Sequence, residues 1–138
     1  MRAGSLRLAA ELSEVGRLNE WLELQAQRAG APKALVNKMK LCLDEVVTNI
    51  VSYAFAGVPD PELMVALEAA PEVLTAVVVD NGAAFDPLGH PLAPRLSDLK
   101  TARIGGFGIR LLRETASALG YERADGRNRL TITCRAAP

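Results

Sequence analysis

Three short stretches of this 138-residue chain carry side chains whose types and spacing could do chemistry together: Glu45-x-x-x-Asn49, Asp80-Asn81-Gly82 and Gly105-Gly106-Phe107-Gly108. At about 100° per residue, Glu45 and Asn49 stand roughly 40° apart on a helix, beside its apolar stripe rather than opposite it. Such a flank lines a cleft. The amide oxygen of Asn49 is a neutral, hard donor suited to Mg²⁺, which needs few protein ligands when phosphates supply the rest. A carboxylate one turn earlier, Glu45, can polarise a hydroxyl or water that attacks a terminal phosphate. Asp80 closes a strongly apolar stretch and can accept a hydrogen bond from the adenine amino group, while Gly82 admits close backbone approach. Gly105, Gly106, Phe107 and Gly108 open a helix whose free amides and roughly half a positive charge suit an anion. Taken singly, each stretch has an ordinary reading: a solvated helix face, a common turn, a hinge before a helix.

The glycines are neither a dinucleotide fingerprint, since they lack G-x-G-x-x-G spacing after a strand, nor a P-loop, since no Gly-Lys-Ser/Thr ends them. Lys100 and Arg103 just before them can fold over a triphosphate as a charged lid, or simply keep a loop soluble. His90, the only histidine, lies between Gly89 and Pro91 and reads as a solvated loop residue.

The elements that must position these groups follow from periodicity. Residues 4–9 read as a strand. From Ser13, Val15, Leu18, Trp21, Leu22 and Ala26 recur at helical spacing until Gly30 and Pro32 stop them. A second helix is expected from about Pro32 to Ala56, its core stripe being Met39, Leu43, Val46, Val47, Ile50 and Ala54. Two strands, Glu62–Glu68 and Val73–Asp80, follow as a hairpin. A long loop to about Ile104, broken by Pro87, Pro91 and Pro94, exceeds the usual length for a structureless connection and reads as a lid or binding loop. A third helix, Phe107 to Leu119, buries Ile109, Leu112, Ala116 and Leu119. Strands at Tyr121–Ala124 and Arg129–Arg135 close the chain through the turn dipeptide Asp125-Gly126. Trp21, Tyr53 and Phe55 read as core or core-edge residues. This order predicts a single α+β domain over 1–138, a two-layer α/β sandwich with a mixed, mostly antiparallel sheet and three helices on one face.

Bulk properties narrow the function classes. The chain is 49% hydrophobic with 16 basic and 16 acidic residues, so no net field favours nucleic acid or an anionic membrane. No stretch approaches the roughly 20 apolar residues of a membrane span, and residues 1–12 hold no signal-peptide core. Cys42 and Cys134 are expected as buried free thiols, in keeping with a cytoplasmic setting.

Together the stretches resemble a known family. Leu43-Asp44-Glu45-Val46-Val47-Thr48-Asn49 resembles the N-box of the GHKL (Bergerat) ATP-binding fold of gyrase, Hsp90, histidine kinases and MutL. Val79-Asp80-Asn81-Gly82-Ala83-Ala84-Phe85-Asp86 resembles its first glycine box, and Gly105 through Leu111 its second. The short length and the Asp-Asn-Gly-x-x-Phe-Asp wording most resemble the anti-sigma-factor serine/threonine kinases of partner-switching systems. Ala84 stands where broader relatives carry a second glycine. The resemblance implies ATP and Mg²⁺ as cofactors, Glu45 as general base, Asn49 as metal ligand, Asp80 as adenine reader, and Gly82 as the close-approach glycine. It implies that Gly106 and Gly108 hold the phosphates. It also implies a serine or threonine of a STAS-domain anti-anti-sigma factor as substrate, a sigma factor or other regulator as sequestered target, and a homodimer. Two alternatives stay open at this point: a nucleotide-binding switch that sequesters its partner without essential phosphotransfer, and an ATPase that uses water.

Overall fold

The computed structural model describes residues 1–87 and 106–137. Five strands, β1 (Arg2–Leu8), β2 (Leu63–Ala70), β3 (Val73–Asp80), β4 (Ala118–Ala124) and β5 (Arg127–Arg135), form one sheet in the order β1-β2-β3-β5-β4. All four of its ladders are antiparallel. Alternation is strict on β3, where Leu74, Ala76, Val78 and Asp80 are buried and the residues between them are half-exposed. The buried side of the sheet carries the helices α1 (Glu14–Arg28), α2 (Lys33–Asn49) and α3 (Gly106–Thr115).

The helix stripes lie where the apolar spacing puts them. Leu18, Leu22 and Ala26 are buried on α1, and Leu35, Met39, Cys42, Leu43, Val46 and Val47 on α2. Beyond α1 the chain reverses at Gly30, whose φ of 81° a side chain would strain. Pro32 then precedes the first turn of α2, where a missing N–H costs nothing. Cys42 and Cys134 are free and buried, as expected, and lie side by side in the core. Cys42 donates to the Cys134 sulfur, which with burial pushes its thiol well above the usual range. Among the described residues no helix is long and apolar enough to cross a membrane.

Boundaries depart from expectation in physically readable ways. The second helix is α-helical only to Asn49, and Ile50–Ala54 form a π turn closed by Phe55 N–H to Ile50 O at 3.1 Å. The wider turn swings Tyr53 out to 47% exposure, whereas Phe55 is buried as expected. The third helix ends at Thr115, not Leu119, because the Ser117 N–H bonds Thr133 O at 2.7 Å and the chain is captured by β5. Leu119 therefore serves the sheet, opposite Ile132, rather than a helix stripe. β2 runs on to Ala70, which leaves only Pro71 and Glu72 in the β2–β3 turn. Asp125 and Gly126, with φ of 54° and 74°, make the tight turn their sequence predicts.

Candidate active site

Asp80 is the last residue of β3 and points to the helix side, 3% exposed. In the ladder it stands opposite Asn128 of β5, which also faces inward. The Asn128 Nδ2 donates to Asp80 Oδ1 at 3.0 Å, and the Gly82 N–H donates to the same oxygen at 2.8 Å. Among the described residues no donor reaches Oδ2, the oxygen left to accept from a ligand. Burial raises the Asp80 pKa, while Asn128, the Gly82 amide and the positive charge of Arg123 pull it back.

Asn128 is a hub that sequence reasoning missed. Besides Asp80, its Nδ2 donates to Ala83 O at 2.8 Å, and its Oδ1 accepts from Tyr121 OH at 2.6 Å. The Phe85 N–H also approaches that oxygen at 3.4 Å. One amide thus fixes both the carboxylate and the chain that leaves it. Arg123 of β4 adds a bond from Nη1 to Gly82 O at 2.7 Å. The available signal was an asparagine on the inward positions of a strand otherwise filled by Leu130, Ile132 and Cys134.

At Gly82 the fold itself leaves no room for a side chain. A Cβ there would stand 2.7 Å from Ala54 O and 2.8 Å from Ala54 Cβ, closer than atoms tolerate. The adjacent Ala83 N–H donates to that same Ala54 carbonyl at 2.9 Å. The π turn thereby docks the end of α2 onto the Asp80 loop. One turn further back on α2, Asn49 and Glu45 are both half-buried, and Asn49 Nδ2 donates to Glu45 Oε1 at 3.4 Å. That bond turns the amide nitrogen toward the carboxylate and leaves Asn49 Oδ1 facing away as an acceptor. Neighbouring Asp44 points elsewhere: toward Asn19 of α1, with its pKa raised by burial and partly offset by Asn19. Of the two adjacent acids, Glu45 is the one beside Asn49.

The donor set fits a phosphate-bound Mg²⁺: an uncommitted amide oxygen beside a carboxylate. Among the described residues no group of three or more His, Cys, Asp or Glu could hold a metal alone, so the remaining ligands would have to come from phosphate and water. Helix α3 begins at Gly106 and packs against α2, which brings its N-terminal turn, with Gly106, Phe107 and Gly108, into the same helical layer as Glu45 and Asn49. Lys100, Arg103, Gly105 and His90 lie outside the described residues. Ala84, at the departure from the glycine pattern, is exposed.

Comparison with known proteins gives the family and the fold. Residues 8–134 match the family model described as a histidine kinase-like ATPase domain. The chain is 40% identical over 121 residues to the serine/threonine-protein kinase BtrW of Bordetella bronchiseptica, covering 86% of this chain and 83% of that one. It is 33% identical over 106 residues to the serine-protein kinase RsbW of Listeria innocua, covering 74% and 66%. Among solved structures, the RsbU and RsbW domains of Rv1364c from Mycobacterium tuberculosis superpose with a TM-score of 0.68 at 17% identity, over 98% of this chain and 32% of that chain. The blue-light activated histidine kinase EL346 of Erythrobacter litoralis gives 0.58 at 16% identity, over 89% and 41%. These two likenesses are of fold.

Proposed function

The chain belongs to the histidine kinase-like ATPase domain family, among serine/threonine-protein kinases, and from that premise we propose that it transfers the γ-phosphoryl group of ATP to a serine or threonine of a regulatory protein. The observation that carries this reading is the docking of the Asp80–Gly82 loop onto the end of the helix that bears Glu45 and Asn49. It ties the loop that follows Asp80 to the helix of Glu45 and Asn49, which supports reading the three as one site.

In this reading Asp80 Oδ2 accepts from the adenine amino group. Asn49 Oδ1 ligates Mg²⁺, which when bound neutralises phosphate charge. The first-turn amides of α3, at Gly106, Phe107 and Gly108, with Gly105 before them, hold the phosphates, and Lys100 and Arg103 close over them. Glu45 takes the proton of the attacking hydroxyl. Phosphoryl transfer leaves a protein chiefly positioning and charge-neutralising work, which is what these groups supply. The substrate is a STAS-domain anti-anti-sigma factor. The chain also sequesters a sigma factor or comparable regulator, acts in the cytoplasm and forms a homodimer.

The test is incubation with γ-labelled ATP, Mg²⁺ and the STAS-domain proteins of the same organism. Label on a partner serine or threonine is expected, and its loss in Glu45→Gln. An unlabelled partner, with both proteins folded and ATP bound, would overturn the kinase reading.

A further inference from the structure

The inward face of the sheet changes character at one rung. Leu6, Val65, Val78, Leu130 and Tyr121 stand side by side across the five strands, and the next inward rung is Leu8, Leu63, Asp80, Asn128 and Arg123. It runs from apolar on β1 and β2 to acid, amide and guanidinium on β3, β5 and β4. Arg123 ends this rung on the edge strand, and its side chain does not simply turn to solvent. It reaches past β5 to the loop after β3, where Nη1 donates to Gly82 O at 2.7 Å. The two carbonyls of Gly82 and Ala83 are thus held by two residues of this rung, Arg123 and Asn128. Their amides go to Asp80 Oδ1 and Ala54 O.

We propose that Arg123 is a positioning residue for base recognition: it clamps the Gly82 carbonyl and supplies the positive charge that keeps the ligand-facing oxygen of Asp80 an acceptor. The proposal rests on the reading of Asp80 as the acceptor for the adenine amino group, and deepens it. Asp80 Oδ1 already accepts from the Gly82 N–H and Asn128 Nδ2, so a proton taken up by this carboxyl belongs on Oδ2. Oδ2 would then donate instead of accept. A donor there opposes the amino group of adenine and suits the exocyclic carbonyl oxygen of guanine. The charge on Asp80 therefore decides which base the pocket prefers.

Burial works against that charge, while Asn128, the Gly82 amide and Arg123 work for it. The other neighbours add no cation. Leu63 faces Asp80 from β2, Tyr121 of β4 spends its hydroxyl on Asn128, and Ala54 packs on Gly82 from the helix layer. Further along α2 Glu45 bonds Asn49, and at the same end of the sheet Glu62 and Arg127 pair with each other. Among the described residues Arg123 is the one positive charge that acts on Asp80. Because its guanidinium bonds the Gly82 carbonyl and not the carboxylate, it acts without occupying Oδ2.

Calorimetric titration of the full chain with ATP and with GTP, both with Mg²⁺, from about pH 5.5 to 8.5 tests this. Comparison of variant with parent cancels the nucleotide's own titration. ATP affinity of the parent should fall as pH drops, because binding needs the ionised acid. In Arg123→Gln that fall should begin at higher pH. Near neutrality ATP should bind about fivefold more weakly, and the preference for ATP over GTP should shrink with it. Arg123→Lys, which keeps the charge, should restore the parent's pH profile. Arg123→Thr, of a type that strands favour, takes the place of Arg123→Gln should that variant not fold. An unchanged affinity and profile in the uncharged variant, or a loss by the same factor at every pH, overturns the proposal but not the nucleotide reading. A parent that binds no ATP at any pH overturns both.

Discussion

At the scale of residues, the site rests on one buried carboxylate whose ionisation the fold disfavours. Because burial raises the Asp80 pKa, the folded state prefers the protonated acid. Whatever stability that proton brings is present at acid pH and is lost as pH rises through the folded pKa. At neutral pH the ionised group is therefore a strain on the apo protein. Asp80→Asn removes the charge yet keeps an oxygen for the Gly82 and Asn128 donors. We predict that its melting temperature exceeds the parent's at pH 7–8, with the gap closing as pH falls, and that its preference for ATP over GTP disappears. Thermal unfolding across pH and paired nucleotide titrations check the two halves. Asn128→Ala should act differently. It strips partners from Asp80, Ala83 and Tyr121 in a buried place and should destabilise the protein by about 1–3 kcal/mol, measured by denaturant unfolding. On α2 the roles should separate: Asn49→Ala loses Mg²⁺-dependent nucleotide binding, whereas Glu45→Ala keeps binding and loses transfer. Equal ATP affinity in Asn49→Ala and the parent would count against the metal role.

At the scale of elements, the contact that makes the cleft is between the π turn and the loop after β3. Gly82→Ala forces backbone against the Ala54 carbonyl, which cannot yield as a flexible side chain would. Overpacking of this kind costs about 1–3 kcal/mol, or roughly 3–10 °C in Tm for a chain of this size. Differential scanning calorimetry measures it directly. The sequence carried Gly82 as a candidate, but without its neighbour in the fold. It named the glycine for closeness to a ligand, since nothing in a linear chain reveals that residue 54 folds beneath residue 82. The π turn was illegible for a related reason: Ile50 to Ala54 keep helical periodicity, and the extra residue in the turn is set by the tertiary contact it serves. Helix stripes, by contrast, were legible because burial follows 3.6-residue spacing, and β3 because the β-branched run Val77-Val78-Val79 favours a strand. Between α2 and β5, the side-by-side thiols Cys42 and Cys134 are 0% exposed. Both should react with a thiol reagent no faster than the protein unfolds, a rate readable by absorbance.

At the scale of the whole molecule, one sheet separates two surfaces. Its helical side carries Glu45, Asn49, Asp80 and the start of α3. Which residues could do chemistry was readable from types and spacing. What supports them was not. Asn128 lies 48 residues from Asp80, and only the order β3-β5-β4 makes them neighbours. The proposed kinase activity requires a magnesium–adenine nucleotide held among Asn49, Asp80 and Gly106. Calorimetric titration of the parent with ATP, with and without Mg²⁺, and with GTP in parallel tests it most directly. Saturable binding of one ATP per chain that requires Mg²⁺ and excludes GTP is the predicted result. Absence of binding at millimolar ATP, or equal binding of GTP, would contradict it.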